Sequence, residues 1–378
     1  MRIWVIGRNM PTTANYMRGS FEFEQAQMLA KHGNEVYYPV LDMRFIHRTK
    51  RIGLETRFIG GVHVVILYLP FGHFIPQNKK RAVKYSSWKL LLQLLAKKHG
   101  MPDVIHVHYP TLYSYRVFEW IHQKGVKLVC TEHWSKVQEK TLSEFALANL
   151  RECVENYDAV MCVGALLREA ILSLTDTDRE IIVVPNIVSE DFFCCEMRKS
   201  REDNSFRFVC VGRLIESKCF DLLINAFADV FQGNAQFSLD IIGGGPEYGH
   251  LQEIIAERDC VSQIKLMGTM SRAEVASFYL QCDALVVSSR IETFCVPIIE
   301  AMASGMPVIT TDVVGVKDFL REDHGYMIPP NDRAALAAAM ERMYAEYDKF
   351  DSKTISDYAR QHFSEDVVYE QLFQCYKR

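Results

Sequence analysis

Two glutamates near the C-terminal end of the sequence are spaced to bind a ligand that carries two pairs of hydroxyls. Glu292 lies in a loop after the apolar, β-branched run 284–289, which predicts a buried strand. Glu300 follows eight residues later, in a helix that Pro297 opens and Gly305 ends. An ionised carboxylate only accepts hydrogen bonds, and its two oxygens suit a vicinal diol. Because a helix N-terminus also favours anions, this arrangement suits a nucleotide-sugar whose phosphates lie between the two carboxylates.

A second group of residues, upstream of these glutamates, is suited to phosphate oxygens. Gly212 and Arg213 end the apolar run 209–211, and Lys218 follows five residues after Arg213. Arginine offers a planar fork of donors and lysine a compact charge, and both bind phosphate. For the two glutamates the alternative is a helix-capping residue and a surface residue. For Arg213 and Lys218 it is a pair of surface cations.

The neighbours of Glu292 and Glu300 decide between these interpretations. The two glutamates, the Pro297 between them, the run 301–305 and the strand that begins at Pro307 together resemble the signature of the family 4 retaining glycosyltransferases. That resemblance implies the GT-B fold, an α/β architecture of two Rossmann-like parallel-sheet domains facing each other across a cleft. It also implies that Glu292 holds sugar hydroxyls and Glu300 the ribose. Retention of anomeric configuration is likewise implied by the resemblance.

Other segments of the second half resemble motifs of the same family. Gly212-Arg213 with Lys218 is similar to its Gly-Arg-Leu…Lys-Gly pattern, although Cys219 replaces the usual glycine. The run 241–246 is similar to its Gly-x-Gly-Pro turn rather than to a dinucleotide-binding loop, since Pro246 lacks an N–H. The resemblance implies donor contacts, and these are expected at Gly19, Gly212, Arg213, Lys218, Gly245, Met270, Glu292, Phe294, Cys295, Val296 and Glu300. Thr293 and Cys295 stand where the family usually has glycines on both sides of the aromatic residue.

The first half of the sequence contributes two candidates to the site. Gly19 and the N-cap residue Ser20 open the helix 21–30, and they resemble the glycine loop that faces the donor diphosphate. Thr131 to Trp134 resembles the Thr-x-His segment, in which His133 would lie close to the transferred sugar and phosphate. The expected catalytic residues are therefore His133, Arg213, Lys218 and Glu292. A capped first helix without a ligand and a structural histidine are the alternatives.

Two further polar patterns are interpreted as structural. His106 and His108 alternate along a strand, so they share one face, and both are expected to be satisfied core or cleft-wall histidines. Asp176-Thr-Asp178 spells the Asp-x-Asp of metal-dependent glycosyltransferases, but it lies in a polar stretch before the run 181–184. It is therefore predicted to be a turn, and no metal site is expected.

Composition places the chain among globular proteins with room for two domains. It has 378 residues, of which 49% are hydrophobic, and no uninterrupted apolar stretch of about 18 residues that could cross a bilayer. Eleven cysteines without a Cys-x-x-Cys indicate reduced thiols and a cytoplasmic location. The net charge is −4, yet residues 44–98 hold twelve basic residues and one acid, a net +11. Such asymmetry indicates a surface that meets an anionic partner, and nothing in the sequence indicates nucleic acid.

Short apolar runs alternate with helical stretches along the whole chain, which predicts two parallel sheets covered on both faces. The predicted strands are 3–7, 35–41, 62–69, 103–108, 126–131, 158–163 and 181–184, then 207–211, 236–242, 263–267, 283–289, 307–311 and 325–328. The polar segment 198–205 separates the two series. The expected division is an acceptor-binding domain over 1–197, a donor domain over 206–356, and a C-terminal helix over 357–378 that returns to the first domain.

Taken together, these motifs predict a hexosyltransferase that moves a sugar from a nucleoside diphosphate sugar to an acceptor hydroxyl. No metal or other cofactor is expected, because fixed cations and helix N-termini would neutralise the departing diphosphate, and a UDP-sugar is slightly favoured as donor. Two alternatives remain at this stage. One is a sugar-nucleotide 2-epimerase of the same fold, and the other is a non-catalytic nucleotide-sugar binding protein.

The basic segment 79–98 suggests the acceptor. Trp88, Leu91, Leu92 and Leu95 fall on one side of a predicted helix, with most charges elsewhere. The functional interpretation is peripheral contact with an anionic membrane, which predicts a lipid-linked or surface-polysaccharide precursor as acceptor. The alternative is a solvated basic helix whose leucines face the core.

Overall fold

Each of the two predicted strand series forms one sheet. The computed structural model describes residues 1–8, 20–43, 52–69, 75–76, 79–194, 205–313 and 315–378. All thirteen predicted strands are confirmed within a few residues at their ends, and one further strand, 53–59, was not predicted. Gly19 lies outside the described residues, as does the predicted junction segment except for Ser205.

The first unit is built on an eight-stranded sheet in the order β3-β4-β2-β1-β5-β6-β7-β8. Its strands are β1 (Arg2–Ile6), β2 (Glu35–Asp42), β3 (Gly53–Ile59), β4 (Val62–Tyr68), β5 (Val104–His108), β6 (Lys127–Glu132), β7 (Ala159–Cys162) and β8 (Ile181–Val183). Its helices are α1 (Ser20–Lys31), α2 (Lys80–His99), α3 (Glu119–His122), α4 (Ser135–Gln138), α5 (Glu144–Asn156) and α6 (Ala165–Thr175). All neighbouring strands run parallel except β3, which pairs antiparallel with β4.

The second unit is built on a six-stranded parallel sheet in the order β11-β10-β9-β12-β13-β14. Its strands are β9 (Phe206–Val211), β10 (Phe237–Ile242), β11 (Ile264–Gly268), β12 (Ala284–Val287), β13 (Val308–Thr311) and β14 (Gly325–Ile328). Its helices are α7 (Phe220–Phe231), α8 (Tyr248–Glu257), α9 (Arg272–Tyr279), α10 (Val296–Ala303), α11 (Arg333–Ala345) and α12 (Ser352–Phe363), and α13 (Glu365–Lys377) follows. Short 3-10 turns cover Pro110–Leu112, Tyr115–Val117, Glu190–Phe192, Glu216–Lys218 and Tyr347–Lys349.

The chain divides into compact units at different points from those the sequence predicts. The first unit comprises Met1–Ile187 and Tyr369–Arg378, and the second comprises Val188–Val368. The first unit ends at Ile187 and not at residue 197, because the segment that begins at Val188 is hydrogen-bonded to the second unit. The Val188 N–H donates to the Phe363 carbonyl (2.8 Å), and the Ser304 hydroxyl donates to the Phe192 carbonyl (3.0 Å). Of the predicted C-terminal segment 357–378, only the last ten residues belong to the first unit.

Both sheets have a topological switch point where the chain reverses its direction of strand addition. In the second unit this point lies between β9 and β12, which are neighbours in the sheet but distant in sequence. In the first unit it lies between β1 and β5. Ligands of open α/β sheets bind at the carboxyl ends of the strands beside such points. A ligand site is therefore expected at the loops after β9 and β12 or at those after β1 and β5.

Candidate active site

At the switch point of the second unit, two predicted site residues contact each other. The Lys218 ammonium, after β9, forms an ion pair with the Glu292 carboxylate, after β12. The Ser289 hydroxyl donates to the same carboxylate oxygen of Glu292 (2.7 Å). Burial alone would lower the pKa of Lys218, but the Glu292 charge outweighs it, so the pKa lies above its ordinary value. Lys218 therefore stays charged at neutral pH, and the loop presents this cation beside the Glu292 carboxylate.

Arg213 lies on the same loop as Lys218 but is placed differently. Its side chain is exposed, and within the described residues it forms no hydrogen bond or ion pair. The loop is held from below by the glycine turn after β10, since the Leu214 N–H donates to the Gly244 carbonyl (3.1 Å). A Cβ on Gly245 would overlap the Leu214 carbonyl, so glycine is required there for close packing of the two loops. Gly245 thus positions the Arg213 loop through the backbone.

The segment between the two glutamates turns sharply into α10. Cys295, the N-cap of α10, has the left-handed conformation (φ 59°, ψ 71°), which is uncommon for a residue with a Cβ. Its thiol is buried, and burial raises its pKa well above the ordinary range, with the Glu292 charge adding to the effect. The Phe294 ring packs on Phe319 (centroids 5.2 Å apart), inside the unit. Phe294 therefore anchors the loop, while Cys295 and Val296 begin the helix.

Gly315, which the sequence analysis missed, fits against this same loop. Its φ is +99°, and a Cβ there would overlap the Thr293 carbonyl oxygen. Glycine at this position allows the chain after β13 to approach the Thr293 backbone closely. The isolated glycine after a predicted strand was the sequence signal that could have found it.

Glu300 is buried, with 2% of its surface exposed, and it forms an ion pair with Arg272. Arg272 begins α9, whose start is fixed by a capping box between Ser271 and Glu274. Met270, one of the expected donor contacts, immediately precedes this cap and is half-buried. Arg272 was not among the predicted site residues, because nothing in the spacing of the sequence connects it with Glu300.

His133, the predicted catalytic residue of the first unit, follows β6 and is buried. The N–H groups of His133 and Trp134 donate to the Glu132 carboxylate (2.8 and 2.9 Å), which fixes this turn. A hydrogen bond joins His133 Nε2 to His108 Nδ1 (2.9 Å). Burial lowers the pKa of His133 well below its ordinary value, and the nearby Arg8 charge adds to the shift. His133 is therefore neutral near pH 7 and offers a single N–H.

Arg8 and Glu22, beside His133, were also missed by the sequence analysis. Arg8 follows the end of β1, and its guanidinium donates to the buried Glu22 carboxylate (2.9 Å). It also stacks on the Tyr109 ring, 3.8 Å from the centroid. The Phe21 ring lies 5.0 Å from the ring of His133. These residues form a charged and aromatic group at the carboxyl ends of the central strands of the first sheet.

The structural interpretations of His106 and of the turn at Asp176 are confirmed, whereas His108 is buried but its Nε2 has no hydrogen-bond partner among the described residues. The His106 ring is hydrogen-bonded to the Thr131 hydroxyl and the Tyr376 hydroxyl (both 2.8 Å), so it is a satisfied core histidine. His108 is buried between the rings of His106 and His133. Asp176 ends α6 in a left-handed turn, and Asp178 lies in the irregular segment before β8.

The basic helix α2 packs as the structural alternative predicts, with its leucines facing the core. Its Trp88, Leu91, Leu92 and Leu95 are buried, so the leucine stripe faces the core. Two of the basic side chains are held by aromatic rings: Arg81 lies 3.6 Å from the Phe145 centroid, and Lys84 lies 5.6 Å from the Tyr113 centroid. Among the described helices, none is both long and apolar enough to cross a membrane.

Two α/β units with mostly parallel sheets, each with polar residues at its switch point, define a glycosyltransferase fold of the GT-B class. Sucrose-phosphate synthase from Thermosynechococcus elongatus shares this fold with a TM-score of 0.79 and 20% identity, over 100% of this chain and 98% of that one. The Anabaena protein HepE, solved with UDP-glucose, shares it with a TM-score of 0.71 and 15% identity, over 99% and 98%. Residues 23–192 match the model "Glycosyltransferase Family 4", and residues 196–362 match "Glycosyl transferases group 1". The chain belongs to this family of glycosyltransferases.

One of the relatives that match this chain has a named activity. The phosphatidylinositol N-acetylglucosaminyltransferase GPI3 subunit of Saccharomyces cerevisiae is 24% identical over 243 residues, which are 62% of this chain and 53% of the yeast protein. The chain thus spans about half the length of the yeast relative that it matches.

Proposed function

We propose that this chain transfers a sugar from a nucleoside diphosphate sugar to an acceptor hydroxyl, with retention of anomeric configuration. The observation that carries the proposal is the Lys218–Glu292 ion pair at the switch point of the second sheet, with the exposed Arg213 on the same loop. Two cations and a carboxylate at strand ends suit a ligand that has both phosphates and hydroxyls. This combination distinguishes a nucleotide-sugar from a simple anion.

The chemistry then depends on stabilising the leaving group. As the bond between the sugar and the diphosphate breaks, negative charge grows on the phosphate oxygens, and Arg213 and Lys218 are the residues that would neutralise it. One preorganised donor of this kind contributes about 3 kcal/mol to the transition state. Because the protein itself supplies these two cations, we propose that the reaction needs no divalent cation. Glu292, which holds Lys218 before the donor binds, would accept hydrogen bonds from sugar hydroxyls.

We assign His133 a different role from a proton donor. Its lowered pKa leaves it neutral, and its Nε2 is already bonded to His108. Its Nδ1 has no hydrogen-bond partner among the described residues. A buried polar atom without a partner is unfavourable, so a substrate hydroxyl or phosphate oxygen bonded there would be favoured. His133 is thus proposed as a substrate contact and not as an acid.

For the donor we propose a UDP-sugar. HepE was solved with UDP-glucose, and the yeast relative is named for N-acetylglucosaminyl transfer. The donor candidates are therefore UDP-glucose and UDP-N-acetylglucosamine. Glu300 and the connection from Met270 to Arg272 would bind the nucleoside. A nucleoside diphosphate present at 100 times its dissociation constant stabilises the fold by about 2.7 kcal/mol, so a thermal-shift series with UDP, ADP and GDP identifies the base.

For the acceptor we propose a lipid-linked or surface-polysaccharide precursor, reached from a peripheral position on the cytoplasmic face of an anionic membrane. The yeast relative is named for a phosphatidylinositol acceptor, and the outward side of α2 is basic. Since the apolar side of α2 is in the core, binding would rest on exposed charges such as Lys79, Lys80, Lys89 and Lys97. Each contributes about 1 kcal/mol near an anionic surface. Co-sedimentation with anionic vesicles should be lost when these four become Gln; binding that survives removes the membrane from the proposal.

The transfer assay uses the full chain with each labelled UDP-sugar, with and without a membrane lipid extract. The proposal predicts that the label enters lipid only when the extract is present, and that the linkage to the new sugar keeps its anomeric configuration. Two outcomes would replace it. Conversion of the donor to its 2-epimer without acceptor identifies an epimerase, and tight UDP-sugar binding without turnover on any acceptor identifies a binding protein.

A further inference from the structure

The unpredicted strand β3 is an edge strand with an exposed apolar face. Within the described part of the chain, only β4 pairs with it. Ile52, just before the strand, is 71% exposed and Phe58 is 68% exposed, and Leu54 is exposed on the same face. These are three of the eight large apolar side chains that are exposed among the described residues. An open edge with apolar side chains is a template for another strand.

The hairpin geometry decides which backbone groups point outward from this edge. Gly60 and Gly61 form a two-residue turn with positive φ (56° and 82°), and Ile59 faces Val62 across it. The two residues next to such a turn exchange hydrogen bonds, and bonded pairs alternate with non-bonded ones along the strands. The N–H and C=O groups of Arg57 and Glu55 therefore point to β4. Those of Phe58, Thr56 and Leu54 point to the open edge.

The sequence of β3 is complementary to itself in one antiparallel register. When Thr56 faces Thr56 of a second copy, Phe58 faces Leu54, and Arg57 faces Glu55. The first pair is apolar on the exposed face, and the second is an opposite-charge pair on the other face. A shift of two residues in either direction would separate Glu55 from Arg57 of the second copy and remove both charge pairs.

We propose that β3 is the interface through which two copies of this chain associate, with their edge strands pairing antiparallel about Thr56. The arrangement has a two-fold axis, so each attractive pair occurs twice, as is usual in a closed homodimer. The backbone bonds form between groups that already point outward, and Arg57, which is bonded to Glu55 of its own strand (2.7 Å), would then also contact Glu55 of the second copy. This association is independent of the transfer reaction, so the failure of either proposal leaves the other standing.

Charge reversal at the two facing positions tests the register. Glu55→Arg or Arg57→Glu alone would place like charges opposite each other twice per dimer, and we expect about tenfold weaker association or more. The double variant Glu55→Arg/Arg57→Glu restores opposite charges and should associate as the unaltered protein does. Sedimentation velocity measures this as a mass of twice 43.5 kDa that is lost in each single variant and regained in the double one.

Thr56→Pro tests the backbone pairing itself. The proline removes an N–H that points to the open edge, so the hairpin keeps its bonds with β4 while the dimer loses its central pair. Lys353→Glu, on the exposed surface of the second unit, is the matched control and should not change the mass. Circular dichroism shows that each variant is folded.

Three results would overturn the proposal. These are a wild-type chain that stays at 43.5 kDa up to its solubility limit, single variants that associate as well as the wild type, or a double variant that stays monomeric. A monomer whose binding to lipid vesicles is lost in Phe58→Ser would identify the apolar face of β3 as a membrane contact instead.

Discussion

The guanidinium of Arg272 contacts the buried carboxylate of Glu300, although Arg272 begins α9 and Glu300 lies within α10. Arg272 also lies 5.3 Å from the centroid of the Phe192 ring, which restricts its position. A carboxylate at 2% exposure would be costly to ionise alone, and the adjacent cation favours its charged form. If Glu300 binds the ribose, the ribose hydroxyls must either share this carboxylate with Arg272 or displace Arg272 from it.

Arg272→Met should therefore weaken both folding and nucleotide binding. Removing one member of a buried ion pair costs about 3–5 kcal/mol, and since Arg272 is partly exposed we expect about 1–3 kcal/mol less stability. Urea unfolding measures the stability, and calorimetry measures UDP binding. The double variant Arg272→Met/Glu300→Gln should regain most of the stability but not the UDP affinity. A single variant that unfolds at the wild-type urea concentration would show that the pair is unimportant.

The two glutamates should differ in what they bind. Glu300→Ala is expected to weaken the affinity for UDP alone, because the ribose loses its acceptor. Glu292→Ala is expected to reduce sugar transfer without weakening UDP binding, because the sugar loses a contact while Lys218, released from its ion pair with Glu292, stays available to the diphosphate. Comparing UDP with a UDP-sugar by calorimetry, alongside turnover, separates the two effects. Equal losses of UDP affinity in both variants would refute the assignment of Glu292 to the sugar.

The cations beside the proposed diphosphate should act mainly on turnover. Arg213→Ala and Lys218→Ala are each expected to reduce the transfer rate by roughly 100-fold, through lost stabilisation of the leaving group. Arg213→Ala should unfold as the wild type does, because its side chain is exposed, whereas Lys218→Ala should be less stable because Glu292 loses its partner. Single-turnover kinetics and urea unfolding give the two readouts. A near-wild-type rate in Lys218→Ala would exclude Lys218 from this role.

The buried histidines predict that acid destabilises the first unit. Burial lowers the pKa of His106 to about 3 and the pKa values of His108 and His133 well below their ordinary range. Below pH 6.5 the unfolded chain binds protons that the folded chain does not, so stability falls as pH falls, by about 1.4 kcal/mol per pH unit for each histidine. His106→Gln should make urea unfolding less sensitive to pH between 7 and 5. The exposed His362→Gln is the control, and equal slopes in both variants would contradict the prediction.

A pair of glycine substitutions tests the packing of the Thr293 loop. Gly315→Ala should lower stability by roughly 2 kcal/mol or more and reduce transfer, because its Cβ would overlap the Thr293 carbonyl. Gly233 also has a positive φ (77°), but a Cβ there meets nothing within 4 Å. Gly233→Ala should therefore cost only about 1 kcal/mol and leave transfer unchanged. Equal effects of the two variants on transfer would show that the contact with Thr293 is not needed.

The sequence predicted the sheets well because their strands are short apolar runs between helices, a pattern that a buried parallel strand imposes. β3 was missed because three consecutive polar residues, Glu55, Thr56 and Arg57, interrupt its apolar residues, so the segment shows neither an apolar run nor a strict alternation. The Gly60-Gly61 turn that follows was the available signal for a hairpin.

The candidate site was predictable where it depends on strand ends and not where it depends on packing between elements. Lys218 and Glu292 were selected because each follows a predicted strand and matches a family motif, and the structure places both at the switch point. Their mutual contact, and that of Arg272 with Glu300, depend on how separate loops and helices pack, which local spacing does not encode. The division of the chain after Ile187 was missed for the same reason, since hydrogen bonds to Ser304 and Phe363 determine it.

The assignment of Tyr369–Arg378 to the first unit has a consequence for synthesis in the cell. The Tyr376 hydroxyl bonds His106 in the middle of the first sheet, yet Tyr376 leaves the ribosome after every residue of the second unit. Domains usually fold as they emerge, N-terminal first. Here every residue of the second unit is synthesised before the first unit has its whole core. A released chain truncated after Val368 should therefore be protease-sensitive in its N-terminal half and resistant in its C-terminal half.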